Sequence, residues 1–423
     1  MKLKGIAAVA IAALFCVGAM AVFAGTDTSA ADPGLDKGYA YGQSFELDMK
    51  KLDAEFKKTS SAGLLDTING AILENLGDLN DGSAVSIDSA SIKNIDFKIL
   101  FASMIEVVEA NENGYVIDYL NTFMFDFKIA AEINGKLPKA GTYDYDYEFQ
   151  ANDVQSRTVG FSGSVFVGYE LTGTIELTPD GDLKSISLKF EIYAYMNIES
   201  GITITSSADG MKETISYNKT KYEAKADFGY SFKLVFTDDL SGNYEVSVEQ
   251  AKMDGGITIN DAAKAFFDMV YEEPGFVDNK IMNLTAPDGT KVLVNGKLSS
   301  FDLNELLEEA NGGDPLKVPK ADTEAMMASI EYNPYNLLTD TPFGDMAAAA
   351  GIEELFEGLE ARELNPAEKN DVKNTASKVR TGINTAKNVD TGKKDNTMLY
   401  VAIGAVALGA VAVIAYFVFI RKP

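Results

Sequence analysis

Asp144, Asp146 and Glu148 alternate along the chain with Tyr143, Tyr145, Tyr147 and Phe149. In one extended strand these carboxylates share a face, with neighbours about 7 Å apart. Such a row invites calcium, yet a single strand cannot wrap an ion that takes roughly six to eight oxygens. It reads as a solvated face. The run DLNDGS at 78–83 lacks the spacing of an EF-hand loop and reads as a turn ending a helix. Asn218-Lys219-Thr220 and Asn283-Leu284-Thr285 match the N-glycosylation acceptor pattern, making Asn218 and Asn283 candidate modification sites. Much other chemistry is forbidden by composition. The chain has no His and no Trp, and its one cysteine, Cys16, lies in an apolar N-terminal run. Once that run is removed, Cys–His and Ser–His–Asp catalysis, Cys/His zinc sites and disulfides are all excluded. No cofactor or metal site is implied. The expectation is a non-enzymatic protein; a surface enzyme working with carboxylates is the third of three readings.

The two ends place the rest. Lys2 and Lys4 precede the apolar stretch Ile6–Phe23, and Ala19-Met20-Ala21 and Val22-Phe23-Ala24 offer signal-peptide cleavage sites, with Ala24 the preferred last residue. Residues 398–420 are 23 uncharged, mostly apolar positions followed by Arg421 and Lys422. At ~1.5 Å per residue they span about 34 Å, enough to cross a bilayer, with the basic tail 421–423 on the cytoplasmic side. The expected location is therefore the cell surface, with the membrane as partner through the C-terminal helix. A polar motif, an apolar span and a basic tail together resemble the cell-wall sorting signal read by sortases. Thr391-Gly392 matches the family's cut site, Asp390 takes its free position, and Asn388 fits a variant class; Val389 stands where the family has Pro. The resemblance covers about 36 residues and implies transfer to the cell wall. A permanent single-span anchor is the alternative, and it is the expectation here.

Between the ends the charge is uneven. The chain carries 37 basic and 63 acidic residues, and the acidic excess is concentrated in 35–360. A surface so anionic repels nucleic acid and is expected to have no such partner. Residues 25–37 read as a flexible leader. Residues 361–397 are polar, mildly basic and poor in large apolar residues, and read as a stalk lying near anionic headgroups.

The ectodomain itself is expected to be α+β and β-dominated. From about 84 to 254 the hydrophobic period is two. One apolar sheet face is assigned Phe161, Val165, Tyr169, Ile186, Leu188, Phe190, Phe228, Phe232 and Phe236, with Lys189 and Lys233 on the opposite face. Turn sequences at 111–115, 178–182, 207–211 and 238–243 join the strands as hairpins, so the simplest topology is an antiparallel meander. Strands of 15–19 residues make a large sheet that must curve, with Gly163, Gly173 and Gly229 as expected bends or bulges. Helices at 63–79, 260–273, 302–313 and 343–363 are expected to cover it, with a small hairpin at 280–296. The β-rich part runs over 38–254 and the helix-rich continuation over 255–360. Two functions then compete with the enzyme: a structural, adhesive or interaction domain, and a tethered protein binding a lipid or other apolar ligand in a curved half-barrel.

Overall fold

The computed structural model describes residues 36–59, 86–136, 141–144, 148–151, 154–208, 211–216, 220–285, 289, 291–299, 316–320 and 361–389. Its centre is one antiparallel sheet. The long strands are β1 (Ala40–Asp48), β2 (Ser86–Asn111), β3 (Gly114–Lys136), β6 (Val154–Leu177), β7 (Leu183–Ala208), β9 (Thr220–Asp238) and β10 (Asn243–Ile259). They lie side by side in that order, each paired with the previous one, which is the expected meander. Short hairpins dictate the β2–β3, β6–β7 and β9–β10 pairings, because a strand joined by a tight turn can only fold back beside its neighbour. β8 (Met211–Ser216) pairs with β7, while β4 (Gly141–Asp144) and β5 (Glu148–Ala151) form a separate two-stranded ladder; the first helix, α1 (Met49–Thr59), follows β1 directly.

The strands are longer than expected, 23 to 26 residues for β2, β3, β6 and β7. Their register irregularities fall next to Ile87, Ile92, Val107, Val154, Glu176 and Val248, not at Gly163, Gly173 or Gly229. The expected bulges are thus misplaced. Gly173 has a different reason to be glycine: a β-carbon there would come within 2.8 Å of the Ser187 carbonyl. The chain also reverses between Asp144 and Glu148, which pair across the β4–β5 ladder. Of the carboxylates expected on one strand, Asp144 and Glu148 therefore lie on two, and Asp146 lies outside the described residues.

Register puts the apolar phase of every long strand on one face. There Val107, Ile117, Ile175, Ile186, Leu234 and Val248 are buried in one cluster near the hairpin ends. A second cluster, Ile129, Val165, Ile198 and Tyr222, is capped by α2 (Asp261–Val270) through Ala263, Phe266 and Phe267. Asn260 starts this helix as expected, its Oδ1 accepting from Ala263 N at 2.9 Å. The expected hairpin at 280–296 is present in part: Thr285 and Lys291 form an antiparallel bridge, but Val277–Met282 before it is a π-helix, and β11 (Leu293–Val294) pairs onward with β12 (Lys297–Leu298). The expected helices at 63–79 and 302–313, most of that at 343–363, the leader to residue 35, the signal segment with Ala24, and the span 398–420 lie outside the described residues.

The largest correction concerns the stalk. Arg362 and Glu363 form β14 on the edge of β1, and Pro366–Val389 is a 24-residue helix, α3, lying on the sheet's other face. Val372, Ala376, Val379, Ile383 and Ala386 form its buried stripe, at helical spacing. They meet Ala40, Ala102, Met104, Leu100, Met124, Phe166 and Tyr193 in two clusters. Gly168 permits this approach, since a β-carbon there would lie 2.7 Å from Ile383.

At the β9–β10 hairpin, Asp239 accepts hydrogen bonds from Ser241 N and Oγ (2.8 and 2.7 Å) and from Asn243 N. The turn so fixed holds Leu240 at φ 59°, 92 % exposed. A left-handed leucine is strained by about 1–2 kcal/mol, and glycine's greater freedom when unfolded returns part of that. Leu240→Gly is expected to stabilise the protein by about 0.5–1 kcal/mol, read as a raised denaturant midpoint with unchanged slope.

Candidate functional site

All nine residues assigned from sequence to the apolar face share one face by register. Val165, Ile186, Leu188 and Phe232 are buried, whereas Tyr169, Phe190, Phe228 and Phe236 are half-buried. Phe161 is placed by its backbone alone. The half-buried aromatics are continuous. Phe123 and Tyr169 have ring centroids 6.0 Å apart, Tyr169 and Phe190 5.9 Å, Phe190 and Tyr230 5.1 Å, and Tyr230 and Phe232 6.1 Å. This ladder crosses β3, β6, β7 and β9, because a cross-strand or diagonal neighbour lies within ring reach at each crossing, and its last step, Tyr230 to Phe232, runs along β9.

A polar row flanks the ladder on the same face. Gln43 of β1 stands opposite Ser103 of β2, which stands opposite Asn121 of β3. All three are 6–7 % exposed. The Tyr169 hydroxyl donates to Asn121 Oδ1 at 3.0 Å, joining row and ladder. Gln43 Nε2 is buried with no hydrogen-bond partner among the described residues. Leaving such a donor unpaired costs about 1–3 kcal/mol, and native proteins leave few. Sequence reading did not single these residues out. The signal was there: each is a lone polar residue in the apolar phase of its strand, between Tyr41 and Phe45, Phe101 and Ile105, and Tyr119 and Phe123.

The opposite face is polar and dominated by charge pairs. Beside the first turns of α3 an open groove of about 620 Å³ is lined by Glu106, Asp118, Thr172, Thr174, Lys189 and Lys233, among others. Its charges are matched: Lys189 pairs with Glu191 at 2.8 Å and Lys233 with Glu249 at 2.6 Å. Lys189 is exposed, as expected, but Lys233 is only half-exposed. The basic residues of α3, expected to favour lipid headgroups, meet sheet carboxylates instead. Lys378 reaches Glu46 at 2.6 Å, Lys373 and Lys369 reach Glu106 at 2.7 and 3.2 Å, and Lys387 reaches Asp227 at 2.8 Å. Arg380 grips Glu170 with its Nε and a terminal nitrogen.

These pairs set a pH dependence. The Lys378 hydrogen bond lowers Glu46 from its ordinary 4.5, against partial burial and with help from Lys98. Burial alone would raise Glu106, but Lys373 and Lys369 outweigh it and hold it below 4.5. A carboxylate lowered by folding adds stability that is complete above its unfolded pKa and lost as pH falls through the folded value. The hold on α3 is therefore expected to weaken only below about pH 4.5. Hydrogen exchange of peptides covering 366–389 checks this: they lose protection on acidification before the β3 and β6 peptides do.

Among the described residues no group of three or more His, Cys, Asp or Glu could hold a metal ion, and no helix is long and apolar enough to cross a membrane. Asn218 lies outside the described residues. Asn283 is exposed, but its side-chain nitrogen donates to the Asp278 carbonyl at 2.7 Å. Of the sorting-signal residues, Asn388 and Val389 form the end of α3, and Asp390, Thr391 and Gly392 lie outside the described residues. Comparison with family models, curated proteins and solved structures finds no match, so the ladder and its polar row stand on geometry alone.

Proposed function

We propose that this is a non-enzymatic, membrane-anchored protein of the cell surface that holds an elongated amphipathic ligand on the apolar face of its sheet. One observation carries the reading: a half-buried aromatic ladder runs up to a buried polar row whose Gln43 amide nitrogen has no hydrogen-bond partner among the described residues. Ligand sites of this kind combine an apolar lining with a few placed polar groups. The rings would take an acyl or aryl chain, and Gln43 would donate to an acceptor on its head, such as a carboxylate or ester oxygen. The signal-like N-terminus and the 398–420 span support the location. Val389, standing where the sorting family has Pro, favours the permanent anchor over sorting.

The test is photo-crosslinking of the full chain, in lipid nanodiscs, with a long-chain carboxylate bearing a diazirine. Labelling is expected on peptides holding Phe123, Tyr169, Phe190 and Tyr230, suppressed by excess unlabelled long-chain acid and reduced by Phe190→Ala. Labelling confined to 398–420 would overturn the reading and leave a structural or adhesive role. Gln43→Leu separates stability from binding. Removing an unsatisfied buried donor while keeping the volume is expected to raise stability by about 1 kcal/mol or more. The same change is expected to weaken ligand labelling.

A further inference from the structure

The outer edge of β10 carries two short strands. β13 (Leu316–Pro319) pairs with Asn243–Val246, and β12 reaches the edge at Gly256. Between them, no strand among the described residues lies beside Glu249–Gly255. All seven residues are exposed. Ala251 has only a methyl group and Gly255 no side chain, so their exposure means that the backbone itself faces solvent. An unpaired edge of this length is a template for another strand. Ala251, Met253 and Gly255 lie on the apolar face, opposite Phe232, Tyr230 and Phe228, while Gln250, Lys252 and Asp254 lie on the polar face.

We propose that this edge is a homodimer contact, in which β10 of a second copy pairs antiparallel with it about a two-fold axis at Met253. The register follows from charge. In an antiparallel two-fold pair centred on residue 253, residue 252 stands opposite residue 254 of the other chain. Lys252 then faces Asp254 of the partner subunit, and the relation repeats across the axis, as a self-complementary interface requires. Within one chain these side chains are 3.5 Å apart and 78 % and 68 % exposed, so both are free to turn outward. The two Met253 side chains meet on the apolar face, which covers a methionine otherwise 44 % exposed. Ala251 falls opposite Gly255 of the partner subunit, leaving no bulk to hold the strands apart. The β12 contact at Gly256 limits the pairing to Ala251–Gly255. Because the axis is perpendicular to the sheet, α3 of both copies lies on the same face, and both C-terminal ends leave from one side.

The axis makes a sharp test possible, since a cysteine at residue 253 faces its own symmetry mate. Paired Cα atoms in an antiparallel ladder are about 4.5–5.5 Å apart, within disulfide reach. In full-length protein carrying Cys16→Ser, Met253→Cys is expected to form a disulfide dimer under mild oxidation. Glu245→Cys, exposed on the same strand where β13 already pairs, is expected to stay monomeric. Adding Lys252→Glu to Met253→Cys places like charges across the axis and is expected to reduce the dimer on the order of tenfold. Further addition of Asp254→Lys restores it. A Met253→Cys protein that remains monomeric overturns the proposal. So does a dimer that Lys252→Glu leaves unchanged, or one that Glu245→Cys forms equally well. These residues are solvent-exposed, so the variants retain the fold, which unchanged melting curves verify.

Discussion

Phe232→Asp is expected to abolish folding. Phe232 is 8 % exposed, stands opposite Leu188, and belongs with Leu188 and Leu234 to the cluster near the hairpin ends. The substitution removes an aromatic ring, which costs about 3–5 kcal/mol. It also leaves a buried carboxylate without a partner, which costs several kcal/mol more unless the group takes up a proton. The sum matches the whole stability of an ordinary domain, roughly 5–15 kcal/mol. Lys233→Asp, one residue along, is the control. Lys233 lies on the polar face and gives up only a solvent-screened pair with Glu249. Its melting temperature should move little. Circular dichroism melts of the two proteins compare them directly, and equal loss would mean that the β9 register is wrong.

Val379→Asp has the second large effect, and a local one. Val379 is fully buried between α3 and the sheet, against a cluster that includes Leu100, Met124, Phe166 and Tyr193. A carboxylate there has lost its water and gained no partner, at a cost of several kcal/mol. That exceeds what a few screened ion pairs can offset. The helix is therefore expected to leave the sheet. The sheet should survive, because the two clusters on its apolar face contain no residue of α3. Limited proteolysis then cuts within 366–389 while the strand signal in circular dichroism persists. Unfolding of the whole protein in one step would show instead that α3 is integral to the core.

These two substitutions also mark what was legible in the sequence. The register around Phe232 was readable because period-two alternation over a long strand leaves one choice of buried face, and a slip by one residue would bury Lys233. Asn260 was readable as a cap because its chemistry is local. The α3 segment was misread, although its start is marked. Asn365-Pro366-Ala367-Glu368 is a reciprocal cap: Asn365 Oδ1 accepts from Ala367 N and Glu368 N, while Glu368 accepts from Asn365 N at 3.0 Å. Its apolar stripe is made largely of Val and Ala, too small to stand out against the lysines. The matching signal lay elsewhere in the chain, in Phe166, Tyr193 and Tyr195, aromatics in the polar phase of their strands. Only the fold brings those two half-signals together. The Gln43–Ser103–Asn121 row was hidden for the same reason: each residue alone looks like a minor interruption, and only cross-strand register lines them up.

The course of α3 sets how the protein would bear a pull. The helix begins beside β1, where Leu364 N bonds to the Ala40 carbonyl, and ends with Lys387 at Asp227 of β9. Tension entering at Val389 meets its contacts one after another. The Lys387 pair gives first, then Ile383, then the Arg380–Glu170 grip, with β14 last. Contacts loaded in series give way at lower force than contacts loaded all at once. Unwinding the 24 residues lengthens a helix of about 36 Å to about 80 Å. The sheet stays folded meanwhile, since its hairpins do not lie in the path of the load. With the anchor proposed at 398–420, α3 would act as a reel, extending under drag and rewinding when the drag stops.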